Sequence, residues 1–186
     1  MGQAQKIQHY TRDEYLAMEA KSEVRHEYIN GELFAMVGAS RTHALLVTHL
    51  VSALDNHLCD TSCRVMANDM KVFIEAVNRF YYPDVLVSCS DRETEPDEHY
   101  ETAPLLVVEV LSTSTESTDR REKRFAYQTL ESLQEYVLIA QSQRVIEVFR
   151  RQDNAWVHVL FSDEETVILQ SIDLSLPMAS IYRGMA

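Results

Sequence analysis

Leu105-Leu106-Val107-Val108-Glu109-Val110-Leu111 is an almost continuous apolar run interrupted by one carboxylate. Its length and composition are those of a strand buried on both faces, and therefore central in a sheet. A carboxylate buried there without compensation costs on the order of several kcal/mol, so Glu109 must be paired or bound. A second carboxylate repeats the anomaly: Asp84, in Tyr81-Tyr82-Pro83-Asp84-Val85-Leu86-Val87. If the two strands are neighbours, both side chains point to one side near one end of the sheet, where a divalent cation offsets their repulsion. Hard oxygen donors without thiolates or clustered imidazoles select Mg²⁺ or Mn²⁺ over zinc. The plainer reading has Asp84 in water at a strand edge and Glu109 paired with an arginine.

The rest of the pattern builds outward from these runs. Strands are expected over 65–74, 81–88 and 105–111, with an acidic surface loop over 91–102. A helix follows from near Asp119, where Asp119 and Glu122 have N-cap and N3 spacing and Phe125, Ala126 and Leu130 supply the apolar side. Beyond it lie a strand over 136–140, a hairpin of 145–149 with 156–161, and a last strand over 167–169. Upstream, Thr11 and Glu14 form a capping-box pattern for a short helix over 11–20, and Asn30-Gly31 turns a hairpin over 25–37. From Thr42, Leu46, Val47, Leu50, Val51, Leu54 and Leu58 recur at helical spacing, predicting a helix of about four turns whose Leu-rich face packs on a sheet. The order is mixed α/β, with helices on one central sheet. With four glycines, four prolines and no repeat or linker, residues 1–186 read as a single domain.

The chain has 186 residues, 46% hydrophobic and 25% charged, enough for a sizeable core. No run approaches the roughly 18 apolar residues of a membrane span, and residues 1–10 lack a secretory apolar stretch. A soluble, cytoplasmic protein is expected. Cys59, Cys63 and Cys89 make an odd count that argues against a disulfide framework and for a reducing compartment. His57, Cys59 and Cys63 could be zinc ligands, but no fourth has regular spacing. The net charge of −12 means that a nucleic-acid substrate must be met locally. The densest basic cluster is Arg120, Arg121, Lys123 and Arg124, most of which reads as a solvated helix face.

The order Pro83-Asp84, then Glu109-Val110-Leu111, then a helix bearing Lys123 resembles the PD-(D/E)XK nuclease superfamily. More closely, the chain resembles the Uma-two family of small bacterial proteins assigned as endonucleases. The likeness covers nearly the whole chain: His26-Glu27-Tyr28-Ile29-Asn30-Gly31-Glu32, Thr42-His43, Asn68-Asp69-Met70-Lys71, Tyr82-Pro83-Asp84-Val85, Val108-Glu109-Val110-Leu111-Ser112, Arg120 to Lys123, and Glu135-Tyr136. It implies a restriction endonuclease-like α/β (α+β) core, a mixed central sheet flanked by helices, with extra N-terminal and C-terminal hairpins. It further implies Asp84 and Glu109 as ligands of Mg²⁺ or Mn²⁺, and a lysine that positions water or steadies the scissile phosphate. Leu111 stands where a strand lysine is expected; Lys123 matches the position to which the family's lysine has moved. Glu27 reads equally as a third carboxylate of the site or as a partner of Arg25 or Arg120. His43 and Arg120 are candidate phosphate contacts, His43 otherwise being structural. Glu32 and Asp69 read as surface charges.

These readings converge on metal-dependent phosphodiester hydrolysis in DNA, with an inactive binding module on the same fold as the alternative. An acid/base hydrolase without metal is disfavoured, because no sugar-binding aromatic stripe accompanies the carboxylates. Strands over 144–161 lie beyond a minimal nuclease core, and a homodimer that covers their edge would also suit a duplex.

Overall fold

A computed structural model describes residues 9–36, 38–89, 99–153 and 155–185. Local signals set its first half. The Thr11 hydroxyl accepts the Glu14 N–H while the Glu14 carboxylate accepts the Thr11 N–H at 2.8 Å, opening helix α1 (Arg12–Glu19). Asn30 (φ 51°) and Gly31 (φ 99°) make the tight turn joining β1 (His26–Ile29) to β2 (Glu32–Ala35). Ser40 caps α2 (Arg41–Leu58), which buries Leu46, Val47, Leu50, Leu54 and Leu58.

The expected strands over 65–74 and 81–88 each break in two. They form β3 (Arg64–Ala67), β4 (Lys71–Ile74), β5 (Arg79–Tyr81) and β6 (Val85–Ser88). β3 pairs with β6 and β4 with β5, so the four are one long hairpin bent across its middle. The registers Ala67↔Val85 and Val72↔Tyr81 leave residues 68–71 facing 82–84, one residue in excess. Asn68 takes φ 59° to accommodate it, and Pro83 has no N–H to continue the ladder. Such a bulge bends a strand pair. Apolar patterning alone does not reveal it, because it does not show which strand each half pairs with.

The bend carries the hairpin from one sheet into another, so two sheets replace the single sheet expected. The first has the order β2-β1-β5-β4-β7, with β7 at Tyr100–Glu101. The second, mixed sheet has the order β11-β10-β9-β8-β6-β3, using β8 (Leu106–Leu111), β9 (Glu135–Ala140), β10 (Val145–Gln152) and β11 (Ala155–Ser162). Only β8 and β9 run parallel in it, joined by a helical crossover. All six residues of β8 are buried, as its composition requires. One face packs on α2 through Val85, Val108, Val110, Val137 and Ile139; the other packs Val107, Leu111 and Leu138 against Tyr81, Ala126 and Tyr127. The hairpin β12 (Thr166–Leu169) and β13 (Leu174–Pro177) with α5 (Met178–Ile181) closes over α2; β13 and α5 lie beyond the last element expected, the strand over 167–169. Of the expected acidic loop, residues 90–98 lie outside the described residues.

The crossover departs from expectation in phase. It comprises α3 (Glu116–Thr118), a π-helical turn (Asp119–Lys123) and α4 (Arg124–Tyr127), with Thr115 at the N-cap position but making no side-chain cap bond. Asp119 is therefore inside the helix, not its N-cap. The extra residue of a π turn rotates the succeeding residues by about 100°. Phe125, expected inside, is 59% exposed, and Tyr127 is buried instead.

Cys63 and Cys89 are joined in a disulfide, contrary to expectation, and Cys59 is free. They flank the terminal pair Arg64↔Ser88 of β3 and β6, a neighbourhood set by strand register, which a count of cysteines does not report. The zinc reading falls with that pairing, and His57 Nε2 instead lies 2.8 Å from the Ile172 carbonyl. No described helix is long and apolar enough to cross a membrane.

One buried pair ties the C-terminal hairpin down. Glu135, fully buried, accepts hydrogen bonds from Arg150 Nε at 2.7 Å, Ser171 Oγ at 2.6 Å and the Gln170 and Ser171 amides. Glu135→Ala would leave the Arg150 guanidinium buried and uncompensated. Urea unfolding should report a loss of about 3–5 kcal/mol, and a loss below about 1 kcal/mol would show the pair to be dispensable.

Candidate active site

The β6–β8 register pairs Val85 with Val108, and one further step sets Asp84 opposite Glu109. Asp84 sits at the bend, where its backbone carbonyl accepts the Asn68 N–H at 3.2 Å. Its Oδ2 accepts the Val110 N–H at 2.6 Å, and its Oδ1 lies 3.1 Å from His43 Nε2 in the first turn of α2. Asp84 thus has a fixed orientation, and the role in which the structure places His43 is to hold it. Glu109, within β8, is 3% exposed.

Lys123 arrives from the π turn and is 5% exposed. Its ammonium lies 2.8 Å from Glu27 Oε1, 3.3 Å from Glu109 Oε1 and 3.3 Å from Asp119 Oδ1, over the Tyr81 ring. Three elements meet there: β1 of the first sheet, β8 of the second, and the crossover. Glu27, open between two roles in the sequence, joins this cluster; Arg25 pairs with Asp69 instead, at 3.3 Å. Arg120 is not presented to a phosphate as expected: Glu116, at 2.8 Å, and Glu147 occupy its guanidinium. Arg121 is exposed. Asp119, 2% exposed, was not among the sequence candidates. Its i,i+4 spacing to Lys123 is the signal that could have found it. The Tyr136 hydroxyl donates to the Asp119 carbonyl at 3.0 Å, fixing the π turn on β9.

Residues 12–179, which include every member of this cluster, match the family model Uma2, described as "Putative restriction endonuclease". The chain belongs to the Uma2 family. It is 34% identical over 175 residues to the protein slr1290 of Synechocystis sp., covering 94% of this chain and 92% of that one. It is 33% identical over 149 residues to sll1609 of the same organism, covering 79% of this chain and 84% of that one. Among solved structures it resembles a protein of Anabaena variabilis described as "a putative nuclease belonging to DUF820", with TM-score 0.74, 19% identity, and coverage of 91% of this chain and 96% of that one. At that identity the likeness is one of fold, and the fold is nuclease-like.

The charges of this Uma2 site are out of balance. Glu27, Asp84, Glu109 and Asp119 face Lys123 and a histidine. Burial pushes the Glu109 carboxyl well above the usual carboxylate range; Lys123 pulls it back, and Asp119, Asp84 and Glu27 push it further up. Burial works to lower the Lys123 ammonium, but Glu109, Glu27 and Asp119 together hold it well above the ordinary lysine value. The Asp84 hydrogen bond raises His43 against its burial.

A divalent cation fits this deficit. Among the described residues no three His, Cys, Asp or Glu side chains are placed to hold a metal ion by themselves. Mg²⁺ binds through one or two carboxylates and keeps several waters, a requirement that the facing pair Asp84 and Glu109 meets with hard oxygens alone. Without metal, the raised Glu109 carboxyl favours the fold while it is protonated. Stability should therefore be full below the unfolded value of about 4.3 and fall as pH rises through the higher folded value. The raised Lys123 contribution is complete below about 10.4 and does not interfere in this window. In EDTA, Glu109→Gln should melt higher than wild type at neutral pH and flatten the profile. A neutral-pH melting temperature lower than wild type would contradict this charge assignment.

Proposed function

We propose that this Uma2 protein is a metal-dependent endonuclease that hydrolyses phosphodiester bonds in DNA. The observation that carries the reading is the Lys123 ammonium, 2.8 Å from Glu27 and 3.3 Å from Glu109, the residue that the strand register sets opposite Asp84. Asp84 and Glu109 would hold Mg²⁺ or Mn²⁺. Bound there, such an ion supplies Lewis acidity and activation of water. The chain's own groups do the remainder. The Val110 amide and His43 orient Asp84. Glu109, Glu27 and Asp119 keep Lys123 protonated, so that its charge is preorganised for the negative charge developing on the scissile phosphate. Lysine on a helix thereby takes the place that Leu111 vacates on the strand.

A net charge of −12 and the engagement of Arg120 by Glu116 and Glu147 leave few phosphate contacts, so DNA affinity is expected to be weak without divalent ions. The same two facts favour the second reading, a module that has lost turnover. β11 is the outer strand of its sheet, and a homodimer formed along it would cover that edge.

Cleavage of mixed single- and double-stranded DNA and RNA in Mg²⁺, Mn²⁺ or EDTA separates the two. The endonuclease reading expects cleavage that EDTA abolishes. Lys123→Ala, with its fold verified by circular dichroism in Mg²⁺, should be slower by on the order of a hundredfold or more, and Arg121→Ala nearly unchanged. No cleavage of any substrate by wild type would favour the inactive module, and an unaffected Lys123→Ala would remove Lys123 from the chemistry of the site.

A further inference from the structure

An aromatic ring stands in the open beside the most charged point of the molecule. In the β1–β2 hairpin Glu27 is the cross-strand partner of Phe34, and the ladder continues where the Met36 N–H donates to the Arg25 carbonyl at 2.8 Å. Alternation along a strand puts Arg25, Glu27 and Ile29 on one face with Glu32, Phe34 and Met36. Contacts identify that face. Ile29 packs against the cluster that holds Tyr81, Val107 and Leu111, and Glu27 reaches Lys123. The residues between, Tyr28 and Leu33, turn the other way into the cluster of Tyr15, Phe73 and Phe80. Phe34 and Met36 therefore belong to the face of the candidate site, yet they are 46% and 38% exposed, Phe34 on the outer strand of its sheet and Met36 just past its end.

Single exposed apolar residues are ordinary. Here two share one face, and Phe34 is the cross-strand partner of the carboxylate that grips the site lysine, beside the place where a phosphodiester would lie on the proposed reading. On the reading that this site cleaves nucleic acid, we infer that Phe34, with Met36 beside it, receives an unstacked base next to the scissile phosphate. The favoured substrate is then a strand with unpaired bases, single-stranded or locally opened, and not regular duplex. The charge of the chain supports a base as occupant. At −12 the protein gains little from phosphate neutralisation, so affinity must come from contacts that do not depend on charge. Stacking on an aromatic ring is such a contact, and it tolerates any base sequence.

The test uses the full chain in Mg²⁺ and one oligonucleotide, offered single-stranded and as duplex, with 2-aminopurine beside the cleaved bond. Wild type should bind and cleave the single strand in preference to the duplex and quench 2-aminopurine. Phe34→Ala should weaken binding by about tenfold or more, restore the fluorescence, and raise KM more than it lowers kcat. Phe34→Trp should recover binding. Because the ring is exposed, the melting temperature should stay unchanged in both variants. Cleavage by wild type that Phe34→Ala leaves intact, or a preference for duplex, overturns this inference alone. Absence of any binding or cleavage by wild type overturns the endonuclease reading and this inference together.

Discussion

The buried ammonium of Lys123 is the point on which the structure depends. It is the group that β1, β8 and the helical crossover have in common, and each supplies one carboxylate to it. A buried cation stripped of water is costly unless its donors are matched, and three carboxylates at 2.8 to 3.3 Å match them. The surrounding geometry serves this arrangement. The π turn places Asp119 and Lys123 on the same side, Tyr136 fixes the turn from β9, and the bend after Ala67 and before Val85 brings the first sheet close enough for Glu27 to reach across.

The same cluster is poorly balanced as it stands, and that imbalance connects structure to function. Glu109 resists ionisation because it is buried and because the neighbouring carboxylates Asp119, Asp84 and Glu27 add to the opposition against the pull of Lys123. A fold optimised for stability alone would place an apolar residue there. Excess negative charge in the wall of an otherwise apolar sheet marks a candidate functional site, and it supports the proposal of a cation there. Oxygen donors, their small number and the neighbouring ammonium all suit an ion that keeps its waters and works with a phosphate.

Much of this was legible in the sequence, and the limits have physical causes. The capping box at Thr11, the Asn30-Gly31 turn and the Leu-rich stripe of α2 are local patterns, and they appear where the pattern puts them. Glu109 and Asp84 are conspicuous because a charge inside an apolar strand has few explanations. The bend at Asn68 and Pro83 is not legible, because each half reads as extended chain and only pairing shows that they belong to different sheets. Asp119 is hidden for another reason: an acidic residue near a helix start reads as a cap, and the π turn that buries it has no composition of its own. The disulfide is likewise a fact of register, since Cys63 and Cys89 meet only once β3 lies beside β6.

Calorimetric titration with Mn²⁺ addresses the central claim most directly. Wild type should bind the ion, and Asp84→Asn and Glu109→Gln, each still folded, should lose that binding, while Arg121→Ala should keep it. Unchanged Mn²⁺ binding in both carboxamide variants, or none in wild type, would contradict the assignment of the facing carboxylates as the metal site.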